Sequence, residues 1–250
     1  MAIVCKSAAE IDKMRASGRI VREVLSATAA AVAPGISTMD LERVADEKIL
    51  AAGAKAAFKG YFDYPCVLCT SINNEIVHGI PSTKRVLKQG DIVSIDCGVV
   101  LDGYYADAAI TVPVGNHMKP EIKKLLEITE QSLYRGIEQA RVGNAVGDVG
   151  AAVQELVEQN GFSVVREFVG HGIGTKLHED PQVPNYGTRG HGTRLREGMV
   201  IAIEPMVNAG KPGTRVLQDR WTAVTEDGSI SAHFEHCVAV TADGPMILTA

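Results

Sequence analysis

Cysteine is scarce in this 250-residue sequence, and the five present, Cys5, Cys66, Cys69, Cys97 and Cys237, are odd in number. That excludes a disulfide-framed secreted scaffold and fits a reducing compartment, so the cytoplasm is the expected location. Cys66-x-x-Cys69 has no second pair of its kind, which argues against a zinc ribbon. There is no run of Lys and Arg, and the net charge is -5, so direct nucleic-acid recognition is not expected. No stretch approaches 18 uninterrupted apolar residues. The start, Met1-Ala2-Ile3-Val4-Cys5-Lys6-Ser7, has no basic segment leading into an apolar one. Neither a membrane span nor a secretory leader is expected.

What is present centres on the stretch Gly90 to Asp107. Ile92, Val93, Ile95, Val99 and Val100 are strand formers, and Asp102-Gly103 is a preferred pair for a two-residue turn. If Leu101 faces Tyr104 across that turn, Gly98 faces Asp107. Asp107 then shares a sheet face with Asp96 as its diagonal neighbour, roughly 7–8 Å away. Two carboxylates aimed at one spot repel unless a proton or a cation lies between them. A solvated polar face is the alternative for the hairpin taken alone.

Four helices are predicted. Ser7 to Glu10 has capping-box spacing, and Ile11, Met14, Ile20, Val21 and Leu25 recur at helical intervals until Pro34-Gly35. A second helix runs from Ser37-Thr38 to Gly53. Lys119-Pro120-Glu121 opens a third that reaches about Arg141, and Gly147-Asp148 opens a fourth that ends at Gly161. The order helix, helix, strands thus occurs twice. At an offset of 108 residues Gly35, Asp40 and Gly53 fall on Gly143, Asp148 and Gly161, while Gly90 and Asp96 fall on Gly198 and Glu204. The expectation is an α+β chain of one catalytic domain, residues 1–250. Its two pseudo-symmetric halves, about 8–115 and 116–250, are antiparallel sheet covered by helices.

The second half adds His171 within Gly170-His171-Gly172, Glu204 before Pro205, and Glu235 before His236. With Asp96 and Asp107 these make four carboxylates and one imidazole. At about 8 Å and an effective dielectric near 20, each carboxylate pair repels by roughly 2 kcal/mol, and six pairs rival the ~5–15 kcal/mol stability of a domain. The set must protonate or bind cations. Its oxygen-rich composition suits Co, Mn, Fe or Zn, with ligands enough for two divalent ions. A mononuclear iron oxygenase would need two His and one carboxylate.

These residues, with His78-Gly79-Ile80-Pro81 upstream and His178-Glu179-Asp180-Pro181 downstream, resemble type I methionine aminopeptidases from about Ser7 to the C-terminus. The resemblance implies the pita-bread fold and removal of initiator methionine from nascent chains with a small second residue, by attack of a metal-bridging hydroxide. It implies that Asp107 and Glu235 bridge two metals, that Asp96 completes one side and that His171 with Glu204 completes the other. Glu204 would carry the proton, His178 would stabilise the carbonyl oxygen and His78 would hold the scissile amide or its leaving nitrogen. Phe58, Tyr61, Tyr64, Cys69 and Trp221 would form the methionine pocket, where sulfur and aromatic groups suit a thioether. The family often has a small side chain near Phe58 and an aromatic near Leu177, so the rim here is reshaped. Met1-Ala2 itself carries the small second residue such enzymes accept. A transient ribosome contact and a monomeric state are further expectations. A proline-specific pita-bread aminopeptidase, which usually carries an extra N-terminal domain, and a non-catalytic binding protein of the same fold are the alternatives. His117, His191, His233 and His236 match no motif and are expected to be structural or at the surface.

Overall fold

The computed structural model describes residues 3–250; Met1 and Ala2 lie outside the described residues. Helix α1, Ala8–Ala31, starts at the predicted capping box: Ser7 caps it, and the Glu10 carboxylate takes the Ser7 N–H at 2.8 Å. Met14, Val21, Val24 and Leu25 form its buried stripe. Helix α2, Thr38–Ala51, follows a second box, in which Asp40 accepts the Ser37 N–H at 2.8 Å. Helix α3, Pro120–Glu138, ends short of the expected Arg141. There Gln139 N–H turns back to the Gly136 carbonyl, and the Arg141 side chain donates to the Glu138 carbonyl at 3.0 Å. Both bonds use up the last-turn acceptors that another helical turn would need. Helix α4 spans Val146–Gln159.

The strands of the N-terminal region are β1 Lys55–Ala56, β2 Leu68–Ile72, β3 Glu75–Val77, β4 Ile92–Leu101 and β5 Tyr104–Pro113. The β4–β5 hairpin pairs Leu101 with Tyr104 and Gly98 with Asp107, the predicted register. β4 also pairs with β2 and, nearer its end, with β1. The C-terminal region contributes β6 Ser163–Val164, β7 Gly170–Gly172, β8 Glu179–Val183, β9 Val200–Ile203 and β10 Met206–Asn208. After these come β11 Thr214–Val216, β12 Ala223–Thr225, β13 Ser231–His233, β14 His236–Thr241 and β15 Gly244–Ile247. All pairings are antiparallel: a five-stranded sheet in the order β15-β14-β9-β7-β8, and three-stranded sheets β13-β10-β6 and β11-β12-β3. Helix α1 packs on β4 and β5 and α2 on β1 and β2, whereas α3 packs on β9, β10, β13 and β15 and α4 on β6 and β8.

The 108-residue offset recurs in hydrogen bonds. Gly35 N–H reaches the Leu87 carbonyl at 2.8 Å and Gly143 N–H the Leu195 carbonyl at 3.0 Å. Isolated bridges join Ser37 to Val86 and Ala145 to Arg194. Asp148 accepts the Ala145 N–H at 2.7 Å, as Asp40 does for Ser37. The bounds of α2 and α4 keep the same spacing. Between the two helix-covered regions lies a third apolar cluster, containing Met14, Phe58, Tyr64, Cys69, Ile173, Leu177 and Cys237.

Candidate metal centre and active site

Asp96 and Asp107 project from one face of the β4–β5 hairpin, as their register requires. Cys69 is the direct cross-strand partner of Asp96 and so shares that face. Gly98, opposite Asp107, has a packing reason to be glycine: a Cβ there would stand 2.7 Å from the Phe58 ring. The bare backbone lets the ring lie over the hairpin beside the carboxylates.

His171 sits on β7 between two glycines with the same kind of cause. A Cβ on Gly170 would approach the Ala202 carbonyl to 2.3 Å, and one on Gly172 the Asp180 carbonyl to 2.3 Å. Only glycine lets β7 lie so close to both neighbours. The His171 Nδ1 is 2.9 Å from the Gly172 carbonyl. A donated Nδ1–H there leaves Nε2 with a free lone pair, 3.7 Å from Glu204 Oε1. Glu204 follows β9, where Asn185 Nδ2 donates to its backbone carbonyl at 3.0 Å. Glu235 lies between β13 and β14, and its N–H donates to the Ala109 carbonyl of the hairpin at 2.9 Å. Glu235 is thus tied to the hairpin that carries Asp96 and Asp107.

Burial, with the Asp107 charge behind it, pushes the carboxyls of Asp96, Glu204 and Glu235 well above the usual range. Burial pushes Asp107 up to about 7. Burial and the neighbouring His178 lower His171 to about 3, which keeps its imidazole neutral. Asp96 Oδ1, Asp107 Oδ1 and Glu235 Oε1 are buried without a hydrogen-bond partner. One ligand atom each from Asp107, His171 and Glu235 lies within 4.8 Å of the others. Orphaned carboxylate oxygens converging on a neutral imidazole nitrogen fit a divalent cation, since such a cation supplies the partner that each atom lacks.

The centre opens into a cavity of about 250 Å³. Its apolar wall is Phe58, Tyr61, Phe62, Tyr64, Cys69, Leu177 and Trp221; its polar wall is His78, Asp96, Asp107, His171, His178, Glu204 and Glu235. Every site residue named from the sequence therefore lies on this one cavity. His178 Nδ1 is 2.7 Å from the Tyr61 hydroxyl, and its ring centroid is 4.2 Å from that of His171. His78 has φ 61 in the left-handed region, a strained conformation for a non-glycine residue. Gly79 beside it is hemmed in, because a Cβ would meet the Thr70 carbonyl at 2.2 Å. Burial lowers His78 to about 4.

Two lining or contacting residues escaped the sequence. Phe62 stands on the rim, 78% exposed. His233, expected to be structural or at the surface, is buried, with Nε2 unpartnered and 3.7 Å from Glu204 Oε2. Its approach to Glu204 comes from the pairing of Met206 with His233, which brings β13 beside the strand that follows Glu204 and leaves no mark in the sequence. His117 and His191 are exposed, and His236 Nδ1 lies 2.9 Å from the Thr249 hydroxyl. All five cysteines are free.

A carboxylate-rich cation centre with one imidazole, set at the end of an aromatic and sulfur-lined cavity on paired α+β layers, defines a metallohydrolase. The chain matches metallopeptidase family M24 over residues 12–242 and belongs to that family. It is 52% identical to a methionine aminopeptidase of Clostridium perfringens over 247 residues, covering 99% of this chain and 98% of that protein. It is 51% identical to methionine aminopeptidase 1 of Bacillus subtilis, covering 99% of both. The crystal structure of a methionine aminopeptidase from Thermotoga maritima superposes with a TM-score of 0.97 at 46% identity, covering 99% of each chain. The architecture is the pita-bread fold, and use of divalent metal follows from the family and from the orphaned ligand set. No helix among the described residues is long and apolar enough to cross a membrane.

Proposed function

We infer that the chain is a methionyl aminopeptidase, removing the N-terminal methionine from new polypeptides whose second residue is small. One observation carries this: a cavity for a single side chain, walled by Phe58, Tyr61, Tyr64, Cys69 and Trp221, ends on the carboxylate centre. A thioether gains from polarizable and aromatic neighbours, and the small volume admits one residue, not a chain running past it.

Asp96, Asp107, His171, Glu204 and Glu235 would hold two divalent ions from among Co, Mn, Fe and Zn. When bound, such ions supply Lewis-acid polarisation and a water acidic enough to act as nucleophile near neutral pH. Glu204 takes a proton at its carboxylate and returns it to the leaving nitrogen; burial raises its affinity for that proton. The Tyr61 hydroxyl, donating to His178 Nδ1, leaves Nε2–H to donate to the substrate carbonyl oxygen as it gains charge. His78 holds the scissile amide or its leaving nitrogen. The chain acts as one catalytic domain whose halves, about 8–115 and 116–250, arose by duplication. Nascent N-termini supply its substrate, and the reading assigns it to the cytoplasm, as a monomer in transient contact with ribosomes.

The test is release of the first residue from Met-Ala-Ser, Met-Lys-Ser, Leu-Ala-Ser and Ala-Pro-Ser by metal-depleted protein, before and after adding Mn or Co. Cleavage of Met-Ala-Ser alone, appearing only with metal, is the expected outcome. Preference for Ala-Pro-Ser would transfer the enzyme to the proline-specific branch of the fold, and silence on all four would overturn the activity.

A further inference from the structure

Outside the cation centre, one buried ion pair ties the start of the chain to the cavity. Lys6 precedes α1, is 7% exposed, and donates from Nζ to Glu179 Oε2 at 2.7 Å. Its backbone N–H donates to the Gly198 carbonyl at 2.6 Å, which pins the segment in place. The other oxygen of Glu179, Oε1, accepts the N–H groups of Thr175 at 2.9 Å and Lys176 at 3.2 Å. One carboxylate therefore closes the turn that carries His178 and is itself held by the Lys6 ammonium. The turn packs directly on this pair: a Cβ on Gly174 would stand 2.4 Å from Lys6 Cε and 2.7 Å from Glu179 Oε1. The Gly174 carbonyl accepts the Tyr105 N–H at 2.8 Å, two residues before Asp107.

We infer that Lys6 is a positioning residue for His178, acting through the Glu179 carboxylate that closes turn 175–178. The inference rests on the carbonyl-stabilising role given to His178 above. The physical ground is the cost of a buried carboxylate that loses its cation: it regains solvation by swinging outward. Because Glu179 also holds two amides of the turn, the turn moves with it, and the 2.7 Å contact between His178 and Tyr61 is lost. Lys6 touches none of the five proposed metal ligands in the bonds described, so the damage falls on the rate and not on metal binding.

The experiment compares Lys6→Met and Lys6→Arg with the unaltered enzyme, using His178→Ala as reference. kcat and KM are measured on Met-Ala-Ser, metal affinity by calorimetry, and histidine imidazole resonances in metal-free, 15N-histidine-labelled protein. His178→Ala is expected to lower kcat about 100-fold, the usual effect of losing one oxyanion donor. Lys6→Met is expected to lower kcat about tenfold through misplacement, with metal affinity and KM within about twofold and the His178 resonances shifted or broadened. Lys6→Arg, which keeps the cation, restores most of the rate. Full kcat in folded Lys6→Met overturns the inference, as does a loss confined to metal affinity. If Lys6→Met does not fold, Glu179→Gln is read by the same criteria. If His178→Ala keeps full kcat, the role given to His178 fails, and undisturbed His178 resonances in Lys6→Met would then refute the positioning separately.

Discussion

Asp107→Asn removes one of four buried carboxylates while keeping the shape of the side chain, and without metal it should stabilise the protein. The sign follows from proton binding. Asp107 holds its proton until about pH 7 in the folded chain, against an ordinary value of 3.8. As pH rises from 3.8 through 7, the unfolded state ionises freely and the folded state does not, so the wild type loses stability across that window. At about 1.4 kcal/mol per decade of proton affinity, the full loss above pH 7 is at most roughly 4 kcal/mol. For a chain of this size about 2–4 °C accompanies each kcal/mol, so Asp107→Asn should melt up to roughly 8–16 °C above the wild type at pH 8. That advantage shrinks toward zero as pH falls to 4. Comparing two variants cancels the background of buried neutral histidines, whose own pH dependence runs the other way. Thermal melts followed by circular dichroism, on chelator-treated protein between pH 4 and 8, make the measurement. Adding Mn or Co should shrink the variant's advantage, since the wild type gains about 2.7 kcal/mol at a hundredfold excess over Kd and about 4.1 kcal/mol, enough to cancel it, at a thousandfold excess, and the variant does not. An Asp107→Asn protein that melts below the wild type without metal at pH 8, or a difference indifferent to pH, would refute the account of the centre as a mutually repelling set.

Glu204→Gln should lower kcat by about 10²–10⁴-fold with the melting profile of a folded protein retained; full activity would remove Glu204 from proton transfer. His78→Ala should lower kcat at least about tenfold, and a parallel loss of calorimetric metal affinity would mark His78 as a ligand instead. Gly98→Ala pushes the Phe58 ring from its 2.7 Å approach and should raise KM for Met-Ala-Ser roughly tenfold at constant metal affinity. An unchanged KM would place Phe58 outside the contact with the first residue.

Local chemistry was the legible part of this chain. Asp102-Gly103 dictated the register of β4 and β5, and from that register the shared face of Asp96 and Asp107 followed by geometry. Capping signals at Ser7 and Ser37 marked helix starts because their bonds are made within three residues. Long-range pairing was not legible. β3 joins β12 and β7 joins β9 across large sequence separations, and three-residue strands carry too little alternation to announce a partner. His233 was missed for this reason: its approach to Glu204 depends on β10 pairing with β13, which no periodicity encodes. Lys6 and Glu179 are similarly opaque, being 173 residues apart. Each reads as an ordinary surface charge until the fold brings them together.

The 108-residue spacing bears on how such a centre could diversify. Asp96 and Glu204 occupy equivalent places in the two halves, yet they differ by one methylene and by surroundings. Asp96 faces a cysteine across its strand pair, whereas Glu204 reaches between the imidazoles of His171 and His233. Two identical subunits related by a two-fold axis would have to carry the same residue at both places, and any gain at one would be imposed on the other. Within one chain that constraint is absent: the place in one half can carry a short carboxylate while the corresponding place in the other carries a longer one that reaches between two imidazoles.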